Sequence, residues 1–352
     1  MDITMTITPD PGPGKSVATS ALEAVTVRSA SRRVRLSITS EGQEIYSGVL
    51  YTYAGAVTLD DFSSIIEEYF RASGLSLHDV TFSASDPDGR EPEAALTLSV
   101  IYCEYSLPAG IDPGAGFWSL LQSQRVHPSS RISIPGAFHA GEELAVLMSG
   151  SDASGRTTHQ TARIRVTREN LFDISIPALL EYFPDVARPS MAVIRWAEGY
   201  KALFFDRTPG FFTLRFRNMF NAREYVDIWG VTFTKTEAER SVATVGQRSV
   251  PYDTRTTRTY ETTTGPLTRP EALALSQLAH SREVEFIDSA GAWPVIVTDS
   301  TCEVSDDDGE SNKVKISWRF ACVRPRLHGT SLSGLALDTG GIFTHEFTPQ
   351  FS

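Results

Sequence analysis

Apolar and polar positions alternate with a period of two along much of this chain, the pattern of strands that bury one face. Residues 3–8 (ITMTIT) form such a run, and Pro9, Pro11 and Pro13 break it, so residues 1–20 read as an N-terminal arm or an edge strand with a loop. Further runs cover 22–30, 33–39 and 43–53. The last (QEIYSGVLYTY) is rich in β-branched and aromatic residues that suit a half-buried pleat. The period changes at 60–72 (DDFSSIIEEYFRA), where Phe62, Ile65, Ile66, Tyr69 and Phe70 line one helical face. Asp60 is the expected cap, Asp61 favours the positive helix end, and Gly74 is the expected stop. Strands at 77–84 and 94–105 then flank a turn at Asp86-Pro87-Asp88-Gly89.

Periodicity weakens over 106–190. This stretch holds a Pro/Gly-rich loop (PAGIDPGAG), an apolar segment at 117–121, strands near 131–134, 142–149 and 161–167, and a short helix after Pro177. We read it as an irregular insert, with a boundary at Arg188-Pro189. The second half opens with aromatic strand-like runs at 191–205 and 211–217, then a core strand at 225–234. Residues 251–268 carry eight threonines, partly alternating with Arg255, Arg258 and Tyr260, as expected of an exposed strand or an extended hairpin arm. Thr268-Arg269-Pro270-Glu271 is a capping box with proline in the first turn, which predicts a helix to about 280. Ala272, Leu275, Leu278 and Ala279 are its expected inward face. Strands at 283–288, 293–304 and 312–322 follow, with a turn at Asp306–Gly309.

The predicted fold is mainly β: two β-sandwich or tube-like domains, each with a flanking short helix, plus extended ends. The expected division is an arm (1–20), a first β domain (21–189), a second (190–327) and a C-terminal tail (328–352). The order of elements in 43–105 recurs in 251–322, although an ungapped alignment of 85–101 with 305–321 matches only at Ser, Asp, Asp and Gly. Hairpin turns converge on those residue types for conformational reasons. Both a duplication and two unrelated domains with similar turns fit.

Composition limits the function classes. A chain of 352 residues with 41% hydrophobic and 21% charged residues has length and apolar content for packed cores, and is not a disordered or fibrous polypeptide. Its net charge of −11 argues against sequence-independent nucleic-acid binding. That charge is uneven. Residues 201–270 carry 11 Lys/Arg against 7 Asp/Glu, so the rest of the chain is strongly acidic. A basic segment in an acidic chain suits complementary contacts between subunits, and plain variation of the surface charge fits as well. Arg255, Arg258 and Tyr260 on the arm, and Asp306, Asp307 and Asp308 in the acidic turn, are the expected contacts.

Candidate chemistry is sparse. Pro13-Gly14-Lys15-Ser16 ends like a phosphate-binding loop, but Pro9 stands where that loop needs its first glycine. Asp306, Asp307, Asp308 and Glu310 have oxygen ligands suited to a hard cation, yet Lys315 occupies the position of a calcium loop's closing glutamate. They read better as a solvated hairpin tip. Seven scattered histidines form no zinc motif, and Cys103, Cys302 and Cys322 have no metal-like spacing, so the thiols are expected reduced. No nucleophile elbow occurs. A non-enzymatic chain is expected, with no cofactor and no metal. The start lacks the basic and apolar regions of a secretory signal, and no apolar run is long enough to span a bilayer, so no membrane anchor is expected either.

The second half carries a resemblance. The run GPLTRPEALALSQLAHSREVEF, then WPVIVTDSTCEVSDDDGESNKVKISWRF, follows a strand ending RTYETTT, and YSGVLYTYAGAVTLDDFSSIIEEYF in the first half has the same style. Over residues 43–105 and 190–327 the chain resembles tail-tip and baseplate-type structural proteins of tailed bacteriophages and prophages, of the distal-tail or hub kind. The resemblance lies in element order and carries no diagnostic motif. It implies a virion tail component made in a bacterial cytoplasm. Its partners would be copies of itself in a ring and neighbouring tail proteins, with no nucleic acid. The alternative is a carbohydrate- or surface-binding β-sandwich module, with Trp118, Trp196, Trp229, Trp293 and Trp318 as sugar-stacking candidates. Their strand-like settings fit core packing at least as well.

Overall fold

A computed structural model describes residues 3–12, 15–74, 76–88, 93–107, 112–245, 247–305 and 312–321. The fold is mainly β, with short helices. Contacts divide the chain into two compact units. The first holds Met1–Arg207 with Arg217–Tyr225, and the second holds Thr208–Phe216 with Val226–Ser352.

The first unit begins with β1 (Thr4–Thr8), β2 (Val17–Ala18), β3 (Ala24–Arg28), β4 (Arg33–Ser40), β5 (Gln43–Tyr51) and β6 (Ala56–Asp60). Helix α1 (Ser63–Ser73), β7 (Leu77–Ser85) and β8 (Ala94–Ile101) follow. A three-stranded sheet β1-β3-β6 faces a five-stranded sheet β2-β8-β7-β4-β5. Val25 and Val27 from one, Leu36, Ile38, Val80 and Phe82 from the other, and Phe62, Ile66 and Phe70 from α1 share one core. Each such side chain contributes about 1.5–3 kcal/mol when fully buried. The expected N-terminal arm is therefore an edge strand, because Ile3 and Ile7 bury into this core. Asp60 does not cap α1; it ends β6, and the helix starts after Phe62 with no side-chain cap. Gly74 does stop it, at φ 72°.

Residues expected to form an irregular insert build a second pair of sheets. Their strands are β9 (Ser123–Val126), β10 (Arg131–Pro135), β11 (Glu143–Ser151), β12 (Thr157–Arg165) and β13 (Leu171–Ser175). Helix α2 (Ile176–Leu180), β14 (Arg188–Trp196) and β15 (Gly199–Phe205) complete it. The sheet β12-β11-β14-β15-β9 packs with the β10-β13 pair over Ile132, Val146, Met148, Ile194 and Leu203. Arg188-Pro189, read as a boundary, lies inside β14, which pairs with β11 on one side and β15 on the other. The run 191–205 is two strands, not one, because Ala197 turns the chain at φ 48°.

The second unit contains β16 (Phe211–Arg217), β17 (Arg223–Val245), β18 (Arg248–Thr264), α3 (Arg269–Ser276), β19 (Val284–Asp288), β20 (Gly291–Glu303) and β21 (Lys313–Phe320). Its strands close into a barrel in the order β16-β17-β18-β21-β20-β19. Closure removes the sheet edges within the barrel itself, though not along the parts of β17 and β18 that run beyond it. The capping box forms as expected: Glu271 N–H donates to Thr268 Oγ1, and Thr268 N–H donates to Glu271 Oε2 at 2.9 Å. Ala272, Leu275 and Leu278 point inward, but Ala274 takes the buried place expected for Ala279. The repeated element order does not give a repeated topology. The post-helix hairpin joins the earlier one through β7·β4 in the first case and through β21·β18 in the second. The turn at 306–309 and the tail 328–352 lie outside the described residues.

Candidate interaction surface

Strands β17 and β18 are far longer than the barrel needs. Strand β18 pairs with β21 only over Tyr260–Thr263, whereas its ladder with β17 continues from Gly230↔Thr264 out to Val245↔Arg248. Beyond Tyr260 the two strands have only each other, over eleven paired positions from Lys235↔Thr259 to the tip. At about 3.4 Å per residue, eleven residues reach roughly 35 Å. The sequence supports this locally. Threonine and valine favour extended backbone, Thr232 and Thr262 hydroxyls hydrogen-bond across the strands at 3.0 Å, and Lys235 pairs with Glu237 at 2.6 Å. A bulge after Ser241 leaves Tyr252 as the extra residue of β18.

The arm exposes apolar side chains that a free hairpin would bury. Tyr252 is 72% exposed, and Val242, Val245 and Val250 towards the tip are also exposed, while Val231 and Phe233 are exposed at the root beside the barrel. A two-stranded ribbon standing alone in water is marginal. Exposed apolar side chains of this kind are enriched where protein surfaces meet.

The sequence-predicted contact residues fall at three places. Arg255 is exposed and faces Glu239 across the ladder. Arg258 lies three residues further on, so it points to the opposite face, opposite Thr236. It is half-buried, and its Nε has no hydrogen-bond partner among the described residues. Tyr260 shares that second face and stacks on Trp318 at 4.5 Å and 19°, at the root of the arm. The two arginines therefore do not make one basic patch, a consequence of strand period that the sequence already carried. Asp306, Asp307 and Asp308 lie outside the described residues.

The tryptophans are buried or half-buried. Trp118 and Trp318 are buried. Trp196 packs on Phe138 at 4.7 Å and donates to Glu142 Oε2, Trp229 donates to the Thr208 carbonyl, and Trp293 donates to Asp288 Oδ1. Among the described residues no group of three His, Cys, Asp or Glu side chains is placed to hold a metal ion.

Two polar clusters in the first unit were not anticipated. Lys201 and Glu224 form a fully buried pair, Nζ to Oε1 at 3.3 Å. Ser119 donates to the same carboxylate oxygen, and Asn218 Nδ2 donates to the other at 2.8 Å. Burial pushes the Lys201 ammonium below the usual lysine range, against the pull of Glu224. Period-two alternation in YKALFF puts Lys201 on the same inward face as Leu203, which was the available signal. The second cluster sits beside α1. Arg71 Nε donates to Tyr102 Oη at 3.1 Å, and Tyr102 donates to Glu104 Oε1 at 2.8 Å. Burial raises Glu67, and it pushes Tyr102 up to about 12 and Cys103 up to about 11. These groups find their partners within the fold.

No family model and no curated protein matches the chain. Among solved structures, a Ca2+-stabilized adhesin that helps an Antarctic bacterium reach out and bind ice aligns over 90% of this chain and 97% of its own. The identity is 10% and the TM-score 0.17, a likeness that carries no argument about fold or function.

Proposed function

We propose that this chain is a structural component of a phage or phage-like tail, of the tail-tip, baseplate, distal-tail or hub kind, which acts by ring assembly and by contacts with neighbouring tail proteins. The observation that carries the reading is the two-stranded arm, eleven paired positions beyond its last barrel neighbour, with apolar side chains exposed towards its tip. An assembly supplies the missing cover, and closed rings satisfy such surfaces without leaving open ends. The element order and the resemblance of the second half to tail proteins support the same reading. A glycan-binding module finds less support, since each tryptophan is buried or engaged within the fold.

The test is light scattering and negative-stain microscopy of the full chain beside a variant in which residues 236–258 are replaced by an Asn-Gly turn, so that the turn joins the paired residues Lys235 and Thr259. We expect rings or defined oligomers from the full chain. The shortened variant should be monomeric, with unchanged far-ultraviolet circular dichroism from the barrel. A full chain that stays monomeric at all concentrations and never joins tail particles would overturn the proposal.

A further inference from the structure

A second surface lies in the first unit, where an arginine cluster meets an unprotected sheet edge. Residues 28–35 (RSASRRVR) hold four arginines and no acid in a chain of net charge −11. Arg28, Arg32, Arg33 and Arg35 are all exposed. Pairing gathers them around two tyrosines. Arg33 sits directly across the ladder from Tyr51 and Arg35 from Val49, Thr52 N–H donates to the Arg32 carbonyl, and Tyr53 bridges to Ala56, the partner of Arg28. Tyr51 is 74% exposed and Tyr53 88%. Arg33 pairs with Asp88 at 2.9 Å; among the described residues no carboxylate forms an ion pair with Arg28, Arg32 or Arg35.

Strand β5 is the edge of its five-stranded sheet. A bulge at Ile45 interrupts one end of β5, but from Tyr46 to Tyr51 it carries neither a bulge, a charge nor a proline, the usual devices that stop an edge from pairing with another chain. Its inward residues Ile45, Tyr46 and Leu50 pack on the core, so the strand is held in register. A strand added to this edge would lie about 4.8 Å from β5 and about 10 Å from β4. The outward side chains of Arg33 and Arg35 on β4 then reach acidic side chains on the same face of the newcomer. Arginine and tyrosine are also the residues most used to anchor interfaces.

We propose that β5 is a β-augmentation site for an extended acidic segment of a partner protein, its main chain pairing with β5 and its carboxylates meeting Arg33 and Arg35 beside Tyr51. The row of unpaired main-chain groups favours a peptide over a nucleic acid, which has no strand ladder to offer. The site does not depend on the arm or on the tail reading.

The probe is a fluorescein-labelled acetyl-Val-Glu-Thr-Glu-Val-Glu-Thr-Glu peptide, titrated with the full chain and read by fluorescence polarisation. We expect saturable binding, weakened at least tenfold when the probe's glutamates become glutamines and also by Arg33→Glu with Arg35→Glu. Both positions are exposed, and thermal melts check that the double variant stays folded. N-methylation of one alternate set of peptide nitrogens should abolish binding, while methylation of the other set leaves it intact. The proposal is overturned by no binding below 1 mM or by indifference to both N-methyl sets. It is equally overturned if a single-stranded 20-mer DNA binds more tightly than the peptide and loses that binding in the double variant.

Discussion

At the scale of residues, the buried pair Lys201–Glu224 is the most consequential feature. Both groups have left water, and the pair persists because Ser119 and Asn218 also serve the carboxylate. Removing one partner strands the other charge in the interior. Lys201→Met should therefore cost about 3–5 kcal/mol, read as a lowered urea midpoint. Cys103 makes a pH-dependent contribution. Its thiol is pushed from about 9 to about 11 by burial, so the folded state holds a proton that the unfolded state releases first. The stability linked to it is fully present below pH 9 and is lost as pH rises towards 11. Melting temperatures of the chain and of Cys103→Ala, taken from pH 8 to 11, should show the parent falling more steeply. Lys201 shares the parity of Leu203 in its strand, the one local sign of its inward position. The sequence held no sign that Glu224, 23 residues away, would meet it.

At the scale of elements, local signals succeeded where the physics is local. The capping box at Thr268 formed as its spacing requires, and Thr268→Ala should cost about 1 kcal/mol in chemical denaturation, with Thr268→Ser close to neutral. Gly74 ended α1 because its φ of 72° suits glycine. The cap assigned to Asp60 failed because pairing with Ala24 drew that residue into β6, and a ladder outweighs one capping bond. The Thr-rich run at 251–268 was legible as an exposed strand or hairpin arm from the partial alternation of threonine with Arg255, Arg258 and Tyr260. That Arg255 and Arg258 take opposite faces follows from a separation of three in a strand.

At the scale of the whole molecule, charge segregation should show in association. If assembly joins the basic 201–270 segment to acidic surfaces of other copies, self-association measured by sedimentation velocity should weaken as salt rises from 0.05 to 0.5 M, because exposed charges are screened over a few ångströms at high salt. Association that is insensitive to salt would assign it to the arm's apolar residues instead. The sequence alone determined the mainly-β class, the positions of most strands, the three helices and the exposure of the Thr-rich strand, since each rests on period, caps and turns within a few residues; the extension of β17 to Val245, which gives the arm its reach, was not among them. Only the tertiary structure decided that 106–190 forms a pair of packed sheets, that the strands of the second unit close into a barrel, and which strand is left as an edge. It also decided that Arg217–Tyr225 belong to the first unit. Strand partners many residues apart are chosen by which faces pack best in three dimensions, and a one-dimensional pattern of apolar positions is the same for many such choices.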